Sequence, residues 1–303
     1  MKKTFNYSAT AEEKANKIEA AKETLRSGIK ALVSSEDWTL MLDNMARRGK
    51  FSPARFSFGN QILVWCQNRN ATAVATYNRW QTIGRFPRKG EKGIMVMQPQ
   101  VWSKKETKEN GEEVENHGIY FKPLYVFDYS QTEGAEVPAG VLSVNECVPE
   151  VQGSAPLAEL VEMAKGLDCV HSVTLRPRNE SDHTEVHGWY VPRTQDIVVI
   201  TGVEKSELQI FKTLVHEVAH AILHRDNDHH ARAEQEVEAE SVAYVVSKAL
   251  GLETGAYSFS YVAHWAQGAV KLVEKVGTNV AKAATKILDA LERSATEEVA
   301  EAA

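Results

Sequence analysis

Residues 214–224 of the chain read LVHEVAHAILH, which is an HExxH motif inside an apolar run. Histidines four residues apart share one face of an α-helix, so His216 and His220 can direct two imidazole nitrogens at one metal ion. Glu217 points to another side of that ion, where it can accept a proton from a water molecule that the metal activates. Zinc is the expected ion and another divalent metal is the alternative, because the ligands are nitrogen and oxygen atoms.

The residues around the motif favour a buried helix over a solvated one. Apolar side chains surround the histidines on most sides of the helix: Leu214, Val215, Val218, Ala219, Ala221, Ile222 and Leu223. A histidine and a glutamate inside a protein core are costly unless something binds them, so the sequence predicts a metal site.

The third protein ligand of a catalytic zinc site is expected from the helix that follows. That helix carries four acids: Glu234, Glu236, Glu238 and Glu240. Glu238 begins a line of otherwise buried positions and is predicted as the third ligand. Glu234, one turn earlier on the same line, is the second candidate, whereas Glu236 and Glu240 share a wetter edge of the helix.

His224 continues the line of His216 and His220 but lies two turns from His216, or about 12 Å, which is too far to share one ion. We expect it at the surface or against a ligand. Asp226 is discounted as a ligand, because Leu223 stands where a glycine-made turn would be needed.

The composition is that of an ordinary two-domain protein, with 303 residues of which 43% are hydrophobic. Three cysteines without a CxxC pair argue against a disulfide scaffold. The first residues lack an apolar run behind their lysines, and no stretch reaches membrane-spanning length. We therefore expect a cytoplasmic protein without a membrane partner.

The charge is unevenly distributed along the chain. Residues 1–130 carry a net charge of +7 and residues 131–303 a net charge of −13, which together give −6. Residues 51–100 contain seven basic residues and a single acid, Glu91. A basic half of this kind suggests an anionic partner.

Hydrophobic spacing predicts an α+β protein whose helical N-terminal domain, residues 1–130, contains a small antiparallel sheet. Its helices are expected at 8–33, from 35 onward, at 58–67 and at 73–83, and its strands at 94–102 and 119–127. A basic turn is expected at 85–92.

A segment rich in Gly, Pro, Glu and Ser, residues 131–155, is typical of a linker. The second domain, residues 156–293, should contain the HExxH helix, and residues 294–303 a flexible tail. Its other elements are expected to be a helix at 157–167, a strand at 172–175, a hairpin at 188–200 and helices at 257–266 and 270–291.

Cations and aromatic residues interleave between positions 47 and 92. This pairing suits single-stranded nucleic acid, because cations attract phosphates and aromatic faces stack on bases. Glycines in the turn RFPRKGEKG, residues 85–93, let backbone amides approach an anion. The predicted contacts are Arg47, Arg48, Lys50, Arg55, Arg79, Trp80, Arg85, Arg88, Lys89 and Lys92. Trp80 also falls on an apolar helix face, where an aromatic residue is more often part of the core.

Residues 55–94 resemble the N-terminal domain of the ArdC antirestriction family, through RFSFGNQILVWCQN, ATAVATYNRWQTIGR and RKGEKGI. The later stretch YVFDYSQTEG is similar to the end of that domain. The resemblance implies that the chain binds single-stranded DNA and protects a mobile element, such as a plasmid, from restriction.

Residues 188–246 resemble the zincin-like metallopeptidase domain of ArdC proteins and ImmA/IrrE-type proteases, through GWYVPRTQDIVVI, FKTLVHEVAHAILH and EVEAESVAYVV. The resemblance implies that His216 and His220 are ligands, that Glu217 is the base and that Glu238 is the third ligand. Many relatives have Asn where this chain has Glu240, so Glu240 and Glu234 stay alternatives to Glu238.

Together these patterns predict an antirestriction hydrolase that binds single-stranded DNA and carries a zinc-dependent peptidase site for an unknown protein substrate. Glu217 would be the general base, and Tyr190 or His187 would stabilise an oxyanion. Two alternatives stay open. The chain could be a non-catalytic protein that coats single-stranded DNA and has a structural metal site, or a regulatory protease that cleaves a repressor.

Overall fold

The computed structural model describes residues 10–32, 35–47, 49–107, 113–137, 156–183, 185–202, 206–225, 232–252 and 270–301. The chain divides into two compact units, Met1–Gly28 with Gly59–Val137 and Ile29–Phe58 with Pro138–Ala303. Helices and small sheets together form the predicted α+β fold. The helix expected at 257–266 and the central part of the expected linker, residues 138–155, lie outside the described residues.

The helices are α1 (Ala11–Ala31), α2 (Ser35–Ala46), α3 (Phe58–Gln67), α4 (Tyr77–Gln81), α5 (Leu157–Lys165), α6 (Glu207–Leu223), α7 (Arg232–Ala249) and α8 (Val270–Glu301). The strands are β1 (Val74–Ala75), β2 (Arg85–Pro87), β3 (Ile94–Thr107), β4 (Glu113–Asp128), β5 (Thr132–Gly134), β6 (Ser172–Pro177), β7 (Gly188–Val191) and β8 (Asp196–Thr201). Within the described ranges, no helix combines the length and apolarity that a bilayer crossing requires.

The first unit is built around a long antiparallel pair of strands, β3 and β4, whose register runs from Ile94↔Val126 to Thr107↔Glu113. At the near end of the pair, Ile94, Val96 and Val126 are buried, and β1 adds a third strand beside β4. From Gln98↔Lys122 outward the pair is mostly exposed, and this part is here called the β3–β4 arm.

The outer edge of β3 is closed at its near end by two amide side chains of α3. Gln67 accepts from the backbone N–H of Met95 at 2.9 Å and donates to its carbonyl at 2.8 Å. Asn60 makes the same pair of bonds to Met97, at 2.8 and 2.9 Å. These amides satisfy backbone groups that an edge strand would otherwise expose to another chain.

The second unit packs helices against a three-stranded sheet of order β6-β8-β7. β7 and β8 form the predicted hairpin, with Gly188 opposite Val199, and β6 lies parallel to β8. α2 belongs to this unit, because the fully buried Trp38 donates to Ser241 of α7 at 3.1 Å. Tyr244 of α7 in turn donates to Asp43 of α2 at 2.7 Å.

The structure differs from the sequence expectation at several boundaries. Residues 29–58 lie in the second unit, although the sequence places them in a domain spanning 1–130. The helix expected at 73–83 divides into β1 and α4, because Asp128 accepts from the backbone of Thr72 and Ala73 and holds that segment extended. β5 pairs with β2, so the first residues of the expected linker are sheet. α8 continues to Glu301, into the expected tail.

Candidate metal centre and nucleic-acid interface

Helix α6 contains the HExxH residues, and its N-terminus is capped by side chains. Ser206 accepts from the backbone N–H of Gln209 at 3.3 Å, and the Gln209 side chain accepts from the backbone N–H of Ser206 at 3.2 Å. This reciprocal cap satisfies two of the amides that a helix start leaves without partners. Phe211, Leu214 and Val215 are fully buried and fix the rotation of the helix.

Two imidazoles and one carboxylate converge at this helix. The Nε2 atoms of His216 and His220 lie 3.1 Å apart. From α7, Glu236 Oε2 lies 3.4 Å from Nε2 of His216 and 3.9 Å from Nε2 of His220. Among the described residues, these three side chains form the group whose donor atoms all lie within 4.8 Å of one another.

Glu238, the sequence candidate for the third ligand, faces elsewhere. Two residues of helix amount to about 200°, so Glu236 and Glu238 project from opposite sides of α7. Glu238 is fully buried, and its Oε2 lies 2.7 Å from Nε2 of His224. Its Oε1 accepts from Asn279 of α8 at 2.8 Å. The geometry therefore corrects the expectation, with Glu236 in the converging set and Glu238 behind it.

Each of the two histidines is also held through its other ring nitrogen. His216 Nδ1 lies 3.4 Å from Glu240, whose second oxygen accepts from Lys212 at 2.9 Å. His220 Nδ1 lies 2.9 Å from Nδ1 of His224. The open alternatives Glu240 and Glu234 are thus not in the converging set, and Glu240 instead contacts the far side of a histidine ring.

Glu217 is wedged between α6 and strand β7. Its side chain is nearly buried, and the backbone N–H of Tyr190 donates to its carboxylate. Burial raises the pKa of Glu217 to about 7, although the charge of His216 acts in the opposite direction. A carboxylate with a pKa near neutrality can both accept and return a proton.

The close approach of β7 to α6 depends on Gly188. A Cβ atom at this position would lie 2.8 Å from Cγ2 of Thr213, 3.0 Å from the carbonyl of Val198 and 3.2 Å from Cγ of Glu217. Only glycine, which has no side chain, allows β7 to pack this closely against α6 and Glu217.

The pKa values of the two histidines shift in opposite directions. Burial lowers the pKa of His220 to about 3, and the neighbouring His216 charge adds to this effect. Burial would also lower the pKa of His216, but hydrogen bonds with Glu236 and Glu240 outweigh it and raise that pKa to about 9.

The converging residues open into a cleft of about 930 Å³. One wall is β7, the edge strand of its sheet, with Trp189 and Tyr190, and another is α7 with Glu236 and Glu240. The hydroxyl of Tyr190 donates to the carbonyl of Cys169 at 3.1 Å, so it is engaged away from an oxyanion role. His187, the other oxyanion candidate, lines the cleft.

Two of the expected nucleic-acid contacts are part of the core of the first unit. Trp80 is fully buried and donates to the carbonyl of Phe127 at 2.8 Å, so its ring offers no face to a base. Arg85 is 7% exposed and donates to the hydroxyl of Thr132 and to the carbonyls of Thr132 and Ala135. Its guanidinium also lies 4.5 Å from the ring of Tyr129, so Arg85 acts as a structural cation that ties β2 to β5.

The remaining expected contacts are divided between the two units. Arg79, Arg88, Lys89 and Lys92 are exposed in the first unit, and Arg88 donates to Glu91 and to the carbonyl of Ser130. The second unit contains the half-buried Arg47 together with the exposed Lys50 and Arg55. Arg48 lies outside the described residues.

Residues 7–127 match the family model described as the N-terminal domain of anti-restriction factor ArdC. This stretch of the chain is therefore similar to the ArdC N-terminal domain. Two solved structures of the antirestriction ArdC protein from the R388 plasmid are similar to this chain at 22% sequence identity. Each alignment covers 78% of this chain and 85% of the R388 protein chain. The TM-score is 0.50 for the metal-free structure, which shows a shared fold, and 0.47 for the Mn(II)-bound structure. No curated protein matches the chain.

Four residues in the stretches that resemble ArdC have structural roles. Asn60 and Gln67 close the edge of β3, Trp80 fills the core and Arg85 joins β2 to β5. The match to the ArdC N-terminal domain ends before His216, His220 and Glu236. The case for a metal site therefore depends on the geometry of α6 and α7.

Proposed function

We propose that this ArdC-like chain is an antirestriction protein that binds single-stranded DNA and carries a zinc-dependent peptidase site. One observation supports the peptidase most strongly. Nε2 of His216, Nε2 of His220 and Oε2 of Glu236 converge in an open cleft, and the buried carboxylate of Glu217 follows the first of these ligands.

The donor set fits a divalent metal of the zinc type. Two imidazole nitrogens and one carboxylate oxygen are ligands that zinc accepts, and three protein ligands leave a coordination position for catalysis. Each histidine also has a partner at Nδ1, which is Glu240 for His216 and His224 for His220. Such partners orient the rings of histidines that bind a metal through the other nitrogen. Glu236 is half exposed at the cleft wall, as a ligand beside an open position should be.

The residues around the cluster have separable tasks in peptide hydrolysis. A bound zinc supplies a Lewis acid that activates water and polarises a carbonyl group. Glu217 accepts the proton of the attacking water and returns it to the leaving amine, for which a pKa of about 7 is suited. The backbone N–H of Tyr190 holds the Glu217 carboxylate in position for both transfers.

The shape of the cleft suits an extended peptide. β7 is an edge strand along the cleft, and an edge strand offers backbone N–H and C=O groups to a further strand. A cleft of about 930 Å³ accommodates several peptide residues. We infer an unfolded or flexible protein segment as the substrate.

Single-stranded DNA is the proposed partner of the first unit. The ArdC N-terminal match and the excess of positive charge in residues 51–100 support this role. The exposed cations Arg79, Lys89 and Lys92 are proposed to contact phosphates.

The Glu217→Gln variant tests the peptidase, because it keeps the shape of the side chain and removes the base. We expect it to retain zinc, measured by mass spectrometry of the metal, and to lose cleavage of casein by at least a hundredfold. Glu207→Gln, the same change at the exposed start of α6, is the matched control. If wild type and Glu217→Gln protect incoming plasmid DNA equally well, DNA coating rather than proteolysis provides the protection.

A further inference from the structure

Beyond its buried near end, the β3–β4 pair leaves large aromatic rings open to solvent. Trp102 is 42% exposed and Tyr120 is 44% exposed, although the same unit buries Trp65 and Trp80 in its core. Exposed rings clustered on one element mark a binding surface more often than isolated exposed side chains do.

The strand register places these rings on one face. Gln98 is opposite Lys122, Gln100 is opposite Tyr120 and Trp102 is opposite Gly118, and directly paired residues project to the same side. We call these six residues the arm face. The opposite face, over the same length, carries Pro99, Val101, Ile119 and Phe121.

The indole of Trp102 lies close to the backbone of Gly118. A Cβ atom on Gly118 would lie 2.5, 2.6 and 2.7 Å from three atoms of the indole. Glycine thus lets the indole pack on β4, while 42% of Trp102 stays exposed. This packing restricts the indole, so less conformational entropy is lost when a planar ligand stacks on it.

A cation accompanies the second ring. Nζ of Lys122 lies 5.3 Å from the centre of the Tyr120 ring. None of the six residues of the arm face, all of which the structure describes, carries a carboxylate. The arm face thus offers two π-surfaces, one positive charge and two amide side chains, which is the chemistry that binds unpaired bases together with their phosphates.

We propose that the arm face is a stacking site for single-stranded DNA. Bases lie on Trp102 and Tyr120, and Lys122 attracts the adjoining phosphate. The site rests on the single-strand binding proposed above and adds base contacts to it. Stacking is tolerant of sequence, because every base has a π-face.

Fluorescence anisotropy with the full chain and a labelled oligothymidine tests the site. We expect Trp102→Leu and Tyr120→Leu each to weaken binding by about tenfold or more, since leucine keeps apolar volume without a π-face. Trp102→Phe should bind within a few-fold of wild type. Lys122→Gln should reduce the dependence of log affinity on log salt concentration by about one.

Matched controls lie on the opposite face of the same arm. Val101→Ala and Ile119→Ala remove side chains that are 76% and 64% exposed, and Lys105→Gln removes an exposed lysine there. These variants should bind DNA as wild type does.

The outcomes separate the two proposals. If wild type binds the oligonucleotide and the leucine variants bind equally well, the arm face is not the DNA site, and a protein partner becomes the occupant to seek. The arm face is also excluded if the opposite-face variants lose as much affinity as the leucine variants. If wild type itself binds no single-stranded DNA, the proposed function of the unit fails first, and the stacking site with it.

Discussion

The Nε2 atom of His224 lies 2.7 Å from Oε2 of Glu238, and the Nδ1 atom of the same ring lies 2.9 Å from Nδ1 of His220. A fully buried carboxylate thus reaches a proposed ligand through an intervening histidine. Asn279 donates to the other oxygen of Glu238 and fixes the carboxylate plane. The chain of contacts orients His220 from behind, which is how partners outside the ligand set stabilise a metal site.

This relationship separates the roles of two neighbouring acids. Glu236→Gln should remove a ligand and reduce zinc affinity by more than a hundredfold, whereas Glu238→Gln should reduce it by about ten- to a hundredfold through misorientation of His220. Isothermal titration of the apo-protein with zinc measures both, and Glu207→Gln serves as the control. If Glu238→Gln reduces zinc affinity more than Glu236→Gln does, Glu238 rather than Glu236 is the third ligand.

Metal affinity is expected to rise with pH. Glu236 and Glu240 outweigh the effect of burial and raise the pKa of His216 to about 9, so the ring is protonated at neutral pH in the metal-free protein. A metal needs the unprotonated ring, and apparent affinity should therefore increase by about tenfold per pH unit up to about pH 9. Glu240→Gln removes one of the two carboxylates, and the plateau should then begin at a lower pH.

Competition with a chromophoric zinc chelator between pH 6.5 and 9.5 measures that profile. Affinity that stays constant over this range in the wild type would contradict the expectation.

Gly188→Ala should lower the free energy of unfolding, whereas the same substitution at an open glycine should not. The new methyl group would lie 2.8 Å from Thr213 and push β7 away from Glu217, which costs about 1–3 kcal/mol of unfolding free energy. Gly202→Ala is the matched control, because nothing lies within 4 Å of its added Cβ. Urea unfolding gives the stabilities, and an equal effect of the two variants would disprove the packing argument.

Arg85 and Lys89 are expected to separate stability from DNA binding. Arg85→Ala leaves the hydroxyl and carbonyl partners of a nearly buried guanidinium without a donor, so the melting temperature should fall by several degrees, reflecting a loss of about 2–3 kcal/mol. Lys89→Ala should leave the melting temperature unchanged and weaken DNA binding in a salt-dependent way. Thermal melts and anisotropy check both expectations, which fail if Lys89→Ala is the less stable variant.

Much of the fold could be predicted from the sequence, because a helix or strand that buries one face has hydrophobic residues at regular spacing. The bounds of α3 and the hairpin of β7 and β8 follow directly from hydrophobic spacing. The division of residues 73–83 into β1 and α4 could not be predicted, because it depends on Asp128, a residue about fifty positions away. The place of α2 in the second unit likewise depends on distant partners, Ser241 and Tyr244.

The site was predictable in its first half only. His216, Glu217 and His220 belong to one helical turn, so their relative geometry is local. The proposed third ligand comes from another helix, and the acid that faces the histidines depends on the rotation of that helix. Burial along α7 favours Glu238, whereas the acid that faces the histidines, Glu236, is half exposed beside the open cleft. The rotation of α7 was readable in principle, since Glu236 and Glu240 lie one turn apart and both contact His216.

The placement of α2 bears on how such proteins can recombine. The homology match spans residues 7–127, but Trp38 of α2 is fully buried and bonded to α7. A genetic exchange that replaced the matched region as one cassette would place a foreign helix in the interior of the unit that contains His216, His220 and Glu236. Productive chimaeras should therefore arise only where the donor supplies a compatible α2, so the two portions are expected to be inherited together.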